Sequence, residues 1–473
     1  MSRTKELIKN TFIIGIGKFG TKILTFLLLP FYTSCLSTSE YGVYDLLITI
    51  SILVLPFITM LMEEGMFRFL IDSKSQKEER EILSNTSFFV LLNSILFIII
   101  FIIVSLFITI PYKWLFLSYI LLAIIEAVRN AIVRGLSKIK MYSISNFVSS
   151  IVLIVLNIIF IAKLGMGVKG LLLSYIISSS MVSIFIFIKL KIYKLISYKD
   201  VNYNKMKEMF KYSLPLVPNS ISWTIINLSD RLVISYYIGS NANGIYSISN
   251  KFPSVMDSFY SFFYTAWKES AAKNLKYEDS AIFYNKIYDN LKKMLVSVVL
   301  FMLIFLPLCF NLLIKNEFRN AYLYIPVLVV SMYFSNMSGF YGGIFSAYKD
   351  TKIMGITTIV SALLNLLINI IFIKTIGIWA AAISTIISTF IVFFFRKRKL
   401  KRYVKLNENM SAGLLTLFFL GLALLFYYYN NFIIRIICFV FVLLYGIVIN
   451  KELIQIIFKK LKLKSWFIIF VQL

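Results

Sequence analysis

The chain has no histidine, only three cysteines and only 22 acidic residues among 473. Lacking histidine, it is without the side chain best suited to moving protons near neutral pH and without the commonest metal ligand. Cys35, Cys309 and Cys438 stand far apart, form no CxxC pair and lie in or beside apolar runs, so neither a disulfide scaffold nor a zinc site is expected. Charge is scarce at 15% of residues, while the apolar set reaches 59%. A water-soluble domain rarely goes far above half apolar. This total is enough for about fourteen membrane spans of twenty residues, which excludes an ordinary soluble enzyme.

Stretches apolar enough to cross about 30 Å of hydrocarbon fall near residues 11–35, 43–67, 86–109, 114–133, 143–162 and 168–188. Six more lie near 212–238, 244–267, 292–314, 321–348, 354–373 and 376–395, and a last pair near 411–429 and 431–450. The first stretch contains Lys18 and Lys22 and no small-residue cleavage site, so it reads as a retained span rather than a removable signal. With the N-terminus in the cytoplasm, 37 of the 49 basic residues fall in inner segments, 6 in outer connections and 6 within spans. Such a bias predicts both termini in the cytoplasm. The basic excess then serves orientation and contact with anionic membrane lipids, not nucleic acid. Outer connections such as 34–40, 239–243 and 429–432 leave no room for an external catalytic domain. No catalytic residue, metal or cofactor is expected.

The chain repeats itself. Glu6-Leu7-Ile8-Lys9 matches Glu208-Met209-Phe210-Lys211, and Tyr41-Gly42-Val43-Tyr44 matches Asn243-Gly244-Ile245-Tyr246, both at an offset of 202. Asn157-Ile158-Ile159-Phe160-Ile161 recurs from Asn369 at 212, and the run from Ser174 recurs from Ser384 at 210. Six spans separate equivalent points, an even number, so the halves enter the membrane in the same direction about a pseudo-two-fold axis along its normal. Parallel repeats of this kind mark transporters that rock two bundles around a central site; an old duplication without moving parts is the alternative. The expected organisation is a first lobe over residues 1–195, a second over 205–400, two added spans over 408–450 and a cytoplasmic amphipathic tail over 451–473.

Leu29-Pro30-Phe31-Tyr32 with Leu36, Tyr41-Gly42 and Leu46 resembles the first-span signature of the polysaccharide and O-antigen flippases of the multidrug/oligosaccharidyl-lipid/polysaccharide (MOP) exporter superfamily. Asp230-Arg231 with Ile234, Gly239, Gly244, Tyr246 and Lys251 resembles their seventh-to-eighth-span signature, and Ala266-Trp267 the end of the eighth span, although a proline often found soon afterwards is missing. The resemblance implies an all-α integral membrane protein of MATE/MOP-like fold with about 14 transmembrane helices, arranged as two parallel six-helix lobes plus two C-terminal helices. It also implies that spans one, two, seven and eight line a central cavity where cations meet the pyrophosphate of a polyprenyl-linked oligosaccharide.

Charges inside the spans are the candidate functional residues. Lys18 and Lys22, four apart on one face, lie near mid-membrane in the first span, and Arg231 and Lys251 lie about eight residues from the outer turn joining spans seven and eight. Each costs about 2.5–3.5 kcal/mol in hydrocarbon, so four cost on the order of 10–14 kcal/mol unless water or an anion compensates. A diphosphate suits them through charge-assisted hydrogen bonds. The competing readings are snorkelling, pairing of Lys18 or Lys22 with Glu63 or Asp257, and pairing of Arg231 with Asp230 or a lipid headgroup. Glu126 stands three residues before Arg129, where mutual neutralisation is expected; Asp257, Glu126 and Asp230 are the coupling or structural acids. Gly17, Gly20, Pro30, Pro215, Pro218 and Pro253 are hinge candidates, because they sit in the helices that carry the cations. The aromatic run 259–267 reads as packing rather than sugar stacking.

The function expected on these grounds is a flippase that carries a polyprenyl-pyrophosphate-linked glycan across the bacterial inner membrane, beside polysaccharide polymerase and glycosyltransferases as partners. A MATE-like multidrug/cation antiporter calls for an acidic cavity, and a membrane-embedded glycan polymerase or ligase for a large outer loop; neither feature is seen.

Overall fold

A computed structural model of the protein describes residues 26–451 apart from Lys276, Lys349, Glu408, Asn409 and Asn430. Lys18, Lys22, Gly17, Gly20 and most of the expected tail lie outside the described residues. Within them every regular element is helical. The first part of the chain forms α1 (Leu29–Cys35), α2 (Thr38–Thr59), α3 (Met62–Asp72), α4 (Gln76–Phe107), α5 (Lys113–Gly135), α6 (Ile139–Asn157), α7 (Gly167–Lys189) and α8 (Tyr203–Ser213). It continues with α9 (Leu216–Tyr237), α10 (Ser240–Asn274), α11 (Ser280–Leu313), α12 (Ile325–Ala347), α13 (Thr351–Ile376), α14 (Ile378–Leu400), α15 (Met410–Tyr428) and α16 (Phe432–Ile449).

Eight of these helices are long and apolar enough to span a bilayer: α2, α4, α5, α6 with its continuation to Lys163, α7, α11, α13 and α14. The 3₁₀ segment Asn316–Leu323 and α12 pass the same test only when taken together, and they meet at a bend of 52°. The last two helices, α15 and α16, are apolar but shorter. The expected seventh and eighth spans are α9 and α10, at 22 and 35 residues long enough to cross. Their polar and charged side chains keep them below the apolarity of the others.

Local chemistry places the helix ends. Ser37 opens α2 with a capping box: its hydroxyl accepts from Glu40 N–H while Glu40 Oε2 accepts from Ser37 N–H. Glu317 adds a second carboxylate there, accepting from Thr38 Oγ1 at 2.8 Å. Met60 and Leu61 both take left-handed backbone (φ 49° and 52°) and break the second span into α2 and α3. The Ile58 carbonyl beside that break accepts from Asn93 Nδ2 at 3.0 Å. Between α9 and α10 the turn is made by Gly239 at φ 115°, a conformation closed to other residues.

Two compact units result. One comprises Met1–Lys251, Asn316–Phe318 and Leu366–Ala381; the other Phe252–Lys315, Arg319–Asn365 and Ala382–Leu473. The core of the first gathers Ile82, Leu83, Ile120, Ile132, Leu172 and Ile186 from α4, α5 and α7. The second is aromatic: Trp267 stacks on Phe340 at 4.5 Å between centroids, and its Nε1–H donates to the Phe340 carbonyl at 2.9 Å. Tyr260, Phe263 and Tyr264 join this core, whereas Phe259 of the same run is exposed. Arg396, grouped in sequence with the basic loop after it, is instead 4% exposed. Its guanidinium donates to the Ser338 and Met354 carbonyls and to the hydroxyls of Thr357 and Thr358, holding α12, α13 and α14 together through neutral acceptors.

Within the first unit α2 and α10 cross at glycines. A Cβ on Gly42 would lie 1.7 Å from the Ser240 carbonyl oxygen, and one on Gly244 would lie 2.0 Å from the Thr38 carbonyl oxygen. Thr38 and Ser240, like Gly42 and Gly244, are 202 residues apart, the repeat offset. Equivalent residues of the two repeats therefore touch one another at this crossing. Asn243 Nδ2 adds a hydrogen bond to the Gly42 carbonyl at 2.9 Å, and Ser39 and Ser240 hydroxyls meet at 2.8 Å.

Two predictions follow from this packing. Gly42→Val or Gly244→Val should destabilise the protein by more than about 3 kcal/mol by overpacking backbone against backbone, whereas Gly421→Ala, whose Cβ meets open space, should be neutral or gain up to about 1 kcal/mol; melting in detergent distinguishes them. Arg396→Met should cost about 2–4 kcal/mol by stranding buried carbonyls, and Arg396→Lys should recover less than half of that loss in the same assay.

Candidate functional site

The contact between α2 and α10 continues one turn deeper. Asp45 lies three residues after Gly42, and Ser247 three after Gly244, again equivalent positions, and Ser247 Oγ donates to Asp45 Oδ1 at 2.6 Å. The other carboxylate oxygen, Oδ2, lies 3.1 Å from Nε of Arg231 on α9, an ion pair by proximity rather than an aligned hydrogen bond. Lys251 follows Ser247 by four residues on the same face of α10 and is within electrostatic reach of both Asp45 and Arg231. The sequence thus separates Arg231 and Lys251 by a turn, and the fold brings Arg231 onto Asp45 with Lys251 within electrostatic range of the pair. Burial sharpens the interaction: the Arg231 and Asp45 side chains are 16% and 9% exposed, where attraction between charges is far less screened than in water.

Asp230 does not pair with its neighbour Arg231. Consecutive helix positions diverge by about 100°, and Asp230 points to Tyr246 OH at 2.6 Å and Asn369 Nδ2 at 2.9 Å, both donating to its carboxylate. Asn369 is the repeat partner of Asn157, which donates to Tyr32 OH at 2.8 Å. Each copy therefore uses the same asparagine to reach its own first helix, α1 or α9. Asp230 is the acid that ties α9, α10 and α13.

Glu126 forms an ion pair with Arg129 at 3.4 Å and accepts from Tyr175 OH at 2.9 Å and Ser179 Oγ at 3.1 Å. Arg129 also donates to Ser183 Oγ at 3.0 Å, making a polar network inside α5 and α7. Asp257 lies on an exposed face of α10. Pro30, Pro215 and Pro218 sit at the starts of α1 and α9, where a missing N–H costs little. Pro253 is the interior case: α10 continues through it, and the Ser249 carbonyl loses its helical partner there.

Asp45 is the residue that sequence reasoning omits. Its signal is present: it is an acid in an apolar run, directly after the repeated Tyr41–Tyr44 motif, and it aligns with Ser247 four residues before Lys251. Chemically, the cluster sets a carboxylate against one cation, with a second within electrostatic range.

A family model described as polysaccharide biosynthesis protein matches residues 7–267, more than half of the chain. None of the curated proteins matches it. Among solved structures, the lipid II flippase MurJ in an inward closed conformation is similar over 94% of this chain and 100% of that one, with a TM-score of 0.73 at 16% identity. An inward-facing multidrug resistance MATE family transporter of the MOP superfamily is similar over 80% and 95%, with a TM-score of 0.67 at 16% identity. A MOP superfamily transporter from Pyrococcus furiosus is similar over 83% and 96%, with a TM-score of 0.55 at 18% identity. At such identities the likeness speaks for the fold alone, and the fold is that of the MOP transporters. Matched over most of its first half and beyond, and built of serial apolar helices, this multi-pass membrane protein belongs to the polysaccharide biosynthesis protein family.

Proposed function

We propose that the protein is a flippase that moves a polyprenyl-pyrophosphate-linked oligosaccharide across the bacterial inner membrane by alternating access, from the cytoplasmic to the outer face, with both termini in the cytoplasm. The observation that carries this reading is the convergence of Arg231 and Lys251 beside Asp45 where the two repeats touch. Membership in a polysaccharide biosynthesis family and a fold like that of a lipid II flippase support the substrate class. The pyrophosphate would sit among Arg231, Lys251, Lys18 and Lys22 while the polyprenyl chain stays in the bilayer. No bond of the substrate is made or broken; glycosyltransferases and a polymerase would act before and after.

Asp45 has a role in this cycle. With no ligand bound, a buried cation needs compensation, and Asp45 supplies it through Arg231. The diphosphate takes over the cations, and Asp45 regains them when it leaves. A ligand shifts a conformational balance only by binding one state better than the other, and breaking the Asp45 pair supplies such a difference. A cation antiporter is the second reading, favoured by the MATE-like fold and by the buried Asp45 and Asp230.

The readings separate in one binding experiment on purified protein with undecaprenyl pyrophosphate as the probe. Arg231→Ala and Lys251→Ala should each weaken binding about tenfold or more, and Asp45→Asn should tighten it severalfold. Unchanged affinity in all three, with tight binding of an organic cation lost in Asp45→Asn, would establish the antiporter instead. In cells, alanine at Lys18, Lys22, Arg231 or Lys251 should leave lipid-linked oligosaccharide in the inner leaflet and cut surface glycan; full output from all four refutes the flippase.

A further inference from the structure

The second unit holds a groove of about 630 Å³ bordered by α11, α12, α14 and α15. The first unit holds one of about 410 Å³ bordered by α4, α5 and α7. Much of their lining corresponds between the two repeats. Val90, Ser94 and Ile98 of α4 correspond to Lys292, Val296 and Leu300 of α11 at a constant offset of 202. Ile124 and Ile125 of α5 correspond to Tyr333 and Phe334 of α12 at 209, and Ser183 and Phe187 of α7 to Phe393 and Lys397 of α14 at 210. Duplication therefore produced one groove twice.

The copies have since diverged in charge and in cover. Where the first has Val90 and Phe187, the second has Lys292 and Lys397, both half-buried. The open side of the second groove is bordered by α15, which lies outside the repeat. Both lysines stand at the end of the groove that faces the basic loops: Lys292 precedes Val296 and Leu300 along α11, and Lys397 lies three residues from the end of α14. From Lys292 to Leu300 the apolar wall runs about 12 Å. At its rim Leu414 and Leu417 of α15 are 60% and 64% exposed, facing acyl chains in a membrane.

We propose that this groove binds an anionic phospholipid from the leaflet beside the basic loops. Its phosphate meets Lys292 and Lys397 as two point charges, its acyl chains lie along α11 and α15, and it staples the added helix α15 to the second repeat. Basic pockets between spanning helices on the positively charged side are the form that sites for anionic headgroups take. The lipid is a bound component of the protein rather than its cargo, so the proposal goes beyond the transport reading and survives that reading's failure.

Native mass spectrometry of the full chain in detergent, with phosphatidylglycerol or phosphatidylcholine added, tests it. Wild type should retain phosphatidylglycerol over phosphatidylcholine by about tenfold and melt at a higher temperature with it. Lys292→Ala with Lys397→Ala should abolish the preference, and the paired arginine variant should keep it, which guards against misfolding as the cause of loss. Gly413→Phe should block both lipids, since a Cβ at Gly413 meets nothing within 4 Å and the ring enters the groove. An undiminished preference in the alanine pair overturns the proposal. So does displacement of phosphatidylglycerol by equimolar polyprenyl phosphate, which would make the occupant the isoprenoid cargo.

Discussion

Two glycines without side chains let the backbones of α2 and α10 touch, and the functional geometry of the first unit depends on that contact. A methyl group on either would overlap a carbonyl oxygen of the other helix. Close approach of this kind drives helix association where lipid offers no hydrophobic advantage. Because the touching residues are repeat equivalents, what lies three residues deeper in each copy is drawn together with them. Asp45 and Ser247 meet there, and Arg231 and Lys251 approach from their own helices.

Electrostatics then decides what such a place can do. A cation in a low-dielectric interior demands a partner, and a carboxylate does too. Asp45 and Arg231 answer each other, whereas Asp230, one residue away in sequence, is satisfied by a phenol and an amide. Two neighbouring charges thereby have different fates: Asp230 is built into helix packing by directed hydrogen bonds, and Arg231 is held by an ion pair without alignment.

Duplication sets the frame and divergence supplies the individuality. Asn157 and Asn369 keep the same task in both copies. Asp45 and Ser247 have split, one copy keeping the acid and the other its donor. The lateral grooves have split as well, one lined by Arg129 and the other by two lysines, with an added helix at its border. A two-fold scaffold with unlike residues at like positions gives binding sites a direction that a symmetric pair lacks.

The membrane character, the serial helices and the repeat were legible in the chain, because hydrophobic length, charge bias and offset are properties of the linear order. Helices α9 and α10 were legible too, although their charges leave them less apolar than the helices fit to cross a bilayer. The partner of Arg231 was not: adjacency favoured Asp230, and only helix rotation together with the glycine crossing brought Asp45, 186 positions earlier, to 3.1 Å. Arg396 looked like one more loop cation until packing buried it among carbonyls. The sequence by itself determined which residues must live in hydrocarbon and in what order. Which of them meet was left to the tertiary structure, since a contact across helices depends on rotation and depth that no local pattern encodes.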